Sequence, residues 1–255
     1  YEFLNLEGDK FSTSRNWAVW LHEYIAAYPD KTDELKYVLT SIAPETKDSE
    51  FTWKEFQTRV NSELADIMGN FVNRTLVLTN KYYEGQVPAA GLFTEEDQQI
   101  IAQIQAIPGR ISNLAYAYKL REAQAEMMNF ARIGNKYLAD NEPWKLIKTD
   151  PERVQTIMHI ALQITANLQI ACQLFLPATA DKLAKMLNAS WAHFSDLGRT
   201  DLLEAGHQIG EVQILFAKIE DTLVETEVAK LKATAAPTSK FPPMKDAIAF
   251  DDFTK

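Results

Sequence analysis

The segment Lys10-Phe11-Ser12-Thr13-Ser14-Arg15-Asn16 sets cations around a run of hydroxyls. Donors and cations fixed in advance can meet charge that develops on phosphate oxygens. A Ser/Thr-rich turn capping a helix uses the same residue types. Further on, Asn70 and Arg74 stand one helical turn apart and so point the same way. At about 100° per residue they fall on the flank of the Ile67, Phe71 and Leu78 stripe, in line with Lys81. An arginine fork and an asparagine amide suit the edges of unpaired bases, and a solvated polar edge is built from the same pair. Trp144 follows Pro143 just past a helix end. An indole there either stacks on a flipped-out base, worth about 1–3 kcal/mol, or plugs a helix junction. The 4 histidines (His22, His159, His193, His207) show no ligand spacing among themselves or with Cys172, so no metal site is expected here.

The elements that must position these residues are mostly helical. Glu2-Phe3-Leu4-Asn5-Leu6 alternates like a short strand and meets a turn at Glu7-Gly8-Asp9. The pattern predicts helices over 17–28, with Asn16 as N-cap and Pro29 beyond the end, and over 31–41, stopped by Ala43-Pro44. Trp53, Phe56, Val60, Leu64, Ile67, Phe71, Leu78 and Tyr82 form one stripe, predicting a helix over 53–82. Such a helix would run roughly 45 Å, the spine of a bundle. Helices follow over 95–107, 110–139, 151–175 and 178–187, then an irregular stretch over 189–210 and a last helix over 211–232. Residues 233–245 are rich in Ala, Pro, Thr, Ser and Lys and read as a linker. The expected class is all-α: a helical bundle with a short β segment and loop at the N-terminus.

Composition bounds the function. The chain has 255 residues, 46% of them apolar, with only 9 glycines, which favours packed helices over disorder. Cys172 is the single cysteine, so no internal disulfide forms and a reducing, cytoplasmic location is expected. The longest apolar run, 160–175, is interrupted by Gln163, Thr165, Asn167, Gln169 and Gln173 and predicts a core helix, not a membrane span. The formal charge of -9 argues against a broadly basic nucleic-acid binder, so any RNA contact must use a local patch.

Taken in order, the motifs resemble one family. Lys10 to Ser14, between a strand and a helix, resembles the KMSKS loop with which class I aminoacyl-tRNA synthetases hold ATP phosphates. Gly69-Asn70-Phe71-Val72-Asn73-Arg74, Lys81-Tyr82-Tyr83-Glu84-Gly85 and Asn135-Lys136-Tyr137-Leu138-Ala139-Asp140-Asn141-Glu142-Pro143-Trp144-Lys145-Leu146-Ile147-Lys148 resemble the anticodon-binding domain of methionyl-tRNA synthetases. The late Leu215-Phe216-Ala217-Lys218-Ile219-Glu220 matches too, and Phe250-Asp251-Asp252-Phe253-Thr254-Lys255 is similar to the approach to an extra tRNA-binding OB-fold. The resemblance covers nearly the whole chain.

The resemblance implies a catalytic-domain remnant with connecting helices over 1–50, a helical anticodon-binding domain over 51–232, and a linker over 233–255. It implies that Lys10, Phe11, Ser12, Thr13 and Ser14 contact ATP, that Lys10 and Thr13 act in catalysis, and that Asn70, Arg74 and Trp144 read a CAU anticodon. The partners implied are the methionine tRNA, methionine and ATP with magnesium in the full-length enzyme, with no membrane. The chain opens mid-element without an initiating methionine and reads as a fragment, expected by itself to form no methionyl-adenylate. The HIGH signature, the methionine pocket and any zinc-binding insertion would lie upstream of Tyr1, and a candidate dimerising domain after Lys255. Thr13 departs from the family's usual lysine, and a hydroxyl brings no positive charge. The expectation is that Lys10 supplies the charge and Thr13 a hydrogen bond. Two alternatives stand beside this reading: a helical protein-interaction module without an RNA role, and the anticodon domain of a valine, isoleucine, leucine or cysteine synthetase. The Pro143-Trp144 segment with Asn70 and Arg74 argues against the second.

Overall fold

The computed structural model describes residues 2–235. The expected linker beyond residue 235 and the Phe250 to Lys255 segment that is similar to the approach to an OB-fold lie outside the described residues. At the N-terminus β1 (Leu4–Leu6) pairs antiparallel with β2 (Asp9–Lys10). Glu7 (φ 47°) and Gly8 (φ 82°) both take positive φ in the turn between them, as tight hairpins require. β3 (Ser49–Phe51), not expected from the sequence, joins β1 in parallel with Leu6 opposite Phe51.

The first helix, α1 (Leu21–Ala27), begins later than expected. Asn16 does not cap it. Ser12 and Trp17 instead exchange backbone hydrogen bonds of 2.9 Å, while Trp17 and Trp20 donate their indole N–H groups to the Leu6 carbonyl and to Asn16 Oδ1. These indole bonds hold 12–20 as a folded loop. α2 (Thr32–Ser41) follows, with Asp33 buried in its first turn. The Asp33 carboxylate accepts from the Thr179 N–H at 2.7 Å and its hydroxyl at 2.9 Å, which caps α9 (Pro177–Leu187) from a distant element.

The expected spine is one continuous rod in three parts. α3 (Trp53–Arg59) is capped by Thr52; a π-helical stretch spans Val60–Gly69; α4 (Asn70–Tyr83) completes it. The wider turns shift the buried face. Met68, Val72 and Leu76 are fully enclosed, while Ile67 and Tyr82 of the expected stripe are only partly covered. Carbonyls in the wide stretch also become free for side chains: Asn70 Nδ2 donates to Asp66 at 3.0 Å and Asn135 Nδ2 to Ile67 at 2.6 Å.

α5 (Glu95–Tyr116) passes straight through Pro108-Gly109, where a break was expected. The buried Ile104, Ile107 and Ile111 continue one packing face across the proline. The chain reverses instead at Tyr118 (φ 58°) and enters α6 (Leu120–Asn141). A short turn, α7 (Pro143–Leu146), leads to α8 (Pro151–Phe175), which lies almost wholly in the core. Its buried amides explain the polar interruptions in the apolar run. Gln163 Oε1 accepts from the Leu202 N–H at 2.8 Å, and Asn167 donates to the Arg199 carbonyl at 2.8 Å, so α8 fastens the irregular stretch after α9.

The last helix, α10 (Asp221–Thr234), also starts later than expected. Residues 211–220 form an extended strap along the rod, where Asn61 satisfies both the N–H (2.7 Å) and the carbonyl (2.9 Å) of Ile219. Outside bonding of this kind competes with the helical pattern. α10 then returns to the N-terminal region: Tyr28 donates to Glu227 at 2.8 Å, Lys230 pairs with Glu23 at 2.6 Å, and Asn16 donates to the Thr234 carbonyl at 3.2 Å. No helix among the described residues is long and apolar enough to cross a membrane.

Candidate anticodon site and nucleotide-binding loop

Close approach of α4 and α6 builds the first site. Gly134 allows it: a Cβ there would stand 2.5 Å from the Phe71 ring. α6 ends at Glu142 in the left-handed region (φ 41°), and Pro143 opens the next turn, where its missing N–H has no partner to lose. This swings Trp144 outward, 37% exposed, beneath the Arg74 guanidinium at 5.4 Å from the ring centroid. Arg74, Leu78, Ala139, Glu142 and Trp144 line an open hollow. Glu142 is held by Lys145 at 2.7 Å, and no carboxylate lies within ion-pair distance of Arg74 among the described residues.

Asn70 is exposed one turn before Arg74 and faces a neighbouring hollow with Asp66, Asn73, Phe216 and Lys218. Lys218, from the strap, pairs with Asp66 at 2.9 Å across it. The structure therefore brings Arg74 and Trp144 into contact and sets Asn70 beside them on the same helix face. Asn73 and Lys218 were not picked out from the sequence as site residues. The strap reaches this wall from far along the chain, and no local pattern announces it.

The loop over 10–14 forms a second site. Ser12 Oγ and Ser14 Oγ lie 3.3 Å apart, Thr13 is exposed, and Asn16 N–H closes the turn onto the Thr13 carbonyl at 3.1 Å. Phe11 is partly exposed over an apolar groove with Leu4, Val19 and Leu39. Arg15 pairs with Asp9 at 3.0 Å, and that hydrogen bond holds the Asp9 carboxyl below its ordinary range. Lys10 is exposed, its ammonium 5.7 Å from the Phe3 ring. The hydroxyls and the Lys10 ammonium suit phosphate oxygens. No cluster of three or more His, Cys, Asp or Glu side chains is arranged to hold a metal among the described residues. The rod links the two sites. Asn16 and Trp53 line one hollow, and Arg74 lies further along the rod from Trp53, roughly 30 Å away at helical rise.

Over residues 87–236 the sequence matches the family model for the anticodon binding domain of methionyl tRNA ligase. The chain belongs to the methionyl-tRNA ligase family. Residues 1–76 match a second model, that of tRNA synthetases class I (M). Methionine–tRNA ligases of Parabacteroides distasonis and Flavobacterium psychrophilum are 58% and 54% identical to the chain over its whole length. The chain spans 38% of the length of each relative. The fold is that of Mycobacterium tuberculosis methionyl-tRNA synthetase in complex with methionyl-adenylate, at a TM-score of 0.75 with 23% identity over 84% of this chain and 42% of that one. The apo form of the same mycobacterial enzyme matches at a TM-score of 0.72, over 86% of this chain.

Proposed function

We propose that this chain reads a tRNA anticodon for a methionine–tRNA ligase, recognising CAU through Asn70, Arg74 and Trp144. The observation that carries this reading is the Arg74–Trp144 pair. An exposed indole with a guanidinium at 5.4 Å beside an open hollow offers a stacking face and an edge-reading fork together. In the whole protein, methionine is joined to its tRNA in two steps through methionyl-adenylate, with ATP and magnesium, in the cytoplasm. ATP supplies the phosphoanhydride that activates the amino acid. In this chain Lys10 and the Ser12, Thr13 and Ser14 hydroxyls bind its phosphates, and Phe11 fixes the start of the loop. Binding of anticodon stem-loops tests the RNA reading. A CAU loop should bind more tightly than one changed at the first anticodon base, and Trp144→Ala should erase the difference. Equal binding of every loop by the unaltered chain would leave a protein-interaction module as the better account.

A further inference from the structure

Trp144 lies in the connection between α6 and α8, and both ends of that connection are tied by one polar cluster centred on the buried Asp97. Arg153, in the first turn of α8, reaches back to the last residue of α6 and donates Nη2 to Asn141 Oδ1 at 2.8 Å. The same guanidinium forms a two-pronged pair with Asp97, from the first turn of α5, with Nη2 to Oδ1 at 2.9 Å. Asp97 is fully buried and also accepts from the Tyr137 hydroxyl at 2.6 Å. Asn141 completes the ring by donating to the Tyr137 carbonyl at 3.0 Å. Burial alone would push the Asp97 carboxyl up, but the bonds from Arg153 and Tyr137 outweigh it and hold the group below its ordinary range.

We propose that Arg153 and Asn141 are positioning residues for anticodon reading: they fix the angle at which the Trp144 turn faces Arg74. The reasoning is geometric. Glu142 and Pro143 set the backbone of the turn, but a single left-handed residue is a hinge unless the helices on both sides are held. α6 is held at Tyr137 and Asn141, α8 at Arg153, and Asp97 joins them to α5. The Arg153 fork joins the start of α8 directly to the last residue of α6, and Asp97 takes bonds from both Arg153 and Tyr137. A stacking platform loses most of its value when displaced by about 1 Å, as positioned groups in general do.

This inference rests on the anticodon reading above, and the test separates the two. Binding of the CAU stem-loop and of the loop changed at its first base is measured for the chain and for Trp144→Ala, Asn141→Ala, Asn141→Asp and Arg153→Lys. Asn141→Ala and Arg153→Lys should each shrink the ratio of the two dissociation constants at least tenfold. Asn141→Asp keeps an acceptor for Arg153 and should stay within twofold of the parent ratio. A melting temperature that falls in Asn141→Ala and Arg153→Lys while the ratio holds would show a purely structural cluster and overturn the proposal. If Trp144→Ala itself leaves the ratio unchanged, the anticodon reading fails and takes the positioning role with it.

Discussion

At the level of single residues, the candidate nucleotide-binding loop and its flanks divide their charge unequally. Arg15 is held by Asp9 at 3.0 Å, whereas Lys10 has no acidic partner within 4.0 Å among the described residues. Thr13 offers a hydroxyl where the family usually places an ammonium, so under the proposed function the charge that meets a leaving pyrophosphate would fall to Lys10. In the intact enzyme Lys10→Ala should lower methionine-dependent pyrophosphate exchange by roughly 100-fold, the cost of losing one preorganised donor. Arg15→Ala should do less, and an unchanged rate in Lys10→Ala would remove that lysine from the chemistry. A second residue acts on stability. Glu34 is buried, 3% exposed, and burial raises its carboxyl above the ordinary value against the pull of Lys31 and Lys182. A raised folded pKa gives stability that is full below the unfolded value near 4.5 and declines as pH climbs through the folded one. Glu34→Gln should therefore melt higher than the parent at pH 7.5, and the gain should vanish toward pH 4. A gain of equal size at both pH values would mean that desolvation of the charge is not the cause.

At the level of elements, the candidate anticodon site depends on how closely α6 lies against α4. A Cβ on Gly134 would sit 2.5 Å from Phe71 Cε2 and Cζ, and Phe71 is itself fully buried. Gly134→Ala should force the helices apart at a cost of about 1–3 kcal/mol, as overpacking does. Because α6 carries the Trp144 turn and α4 carries Arg74, stem-loop affinity should fall along with the melting temperature. The small, flexible neighbour substitution Phe71→Leu in the Gly134→Ala background should restore both, and failure of that rescue would show that the contact does not set the spacing. Much of this arrangement was legible in the sequence. α8 has the expected bounds because Asp150 caps it, accepting from the Arg153 N–H at 3.0 Å, and Pro151 opens it. Other elements were illegible for physical reasons. Pro108 normally stops a helix, but the isoleucine face on either side of it is buried as one surface and overrides the local signal. The strap over 211–220 has helical composition yet is drawn straight by Asn61 and Gln57, which lie on a distant element. The site divides the same way. The residue types at Asn70, Arg74 and Trp144 carry the pattern, but nothing local places Asp97 and Arg153 beside the turn that presents Trp144.

For the molecule as a whole, a chain with a formal charge of -9 that reads RNA, as proposed, would have to do so through a local set of cations. Three cations near the site are already matched: Lys145 with Glu142, Lys136 with Asp140, and Lys218 with Asp66. Arg74, Lys81 and Lys148 have no such partner among the described residues. Binding free energy must then come largely from stacking and edge contacts, which salt screens weakly, and only a small part from phosphate neutralisation. Each neutralised phosphate of a single strand contributes a slope of about −0.7 to log K against log salt, so three cations give about −2. Titration of the CAU stem-loop between low and physiological salt should return that shallow slope. Lys81→Ala and Lys148→Ala should each make it shallower by roughly 0.7 without altering the preference for the first anticodon base. Trp144→Ala should do the reverse, leaving the slope and removing the preference. A slope steeper than about −5 would mean that many more phosphates are neutralised than these side chains can reach. Affinity would then come from a basic surface elsewhere on the protein, and the Arg74–Trp144 pair would not be its main source.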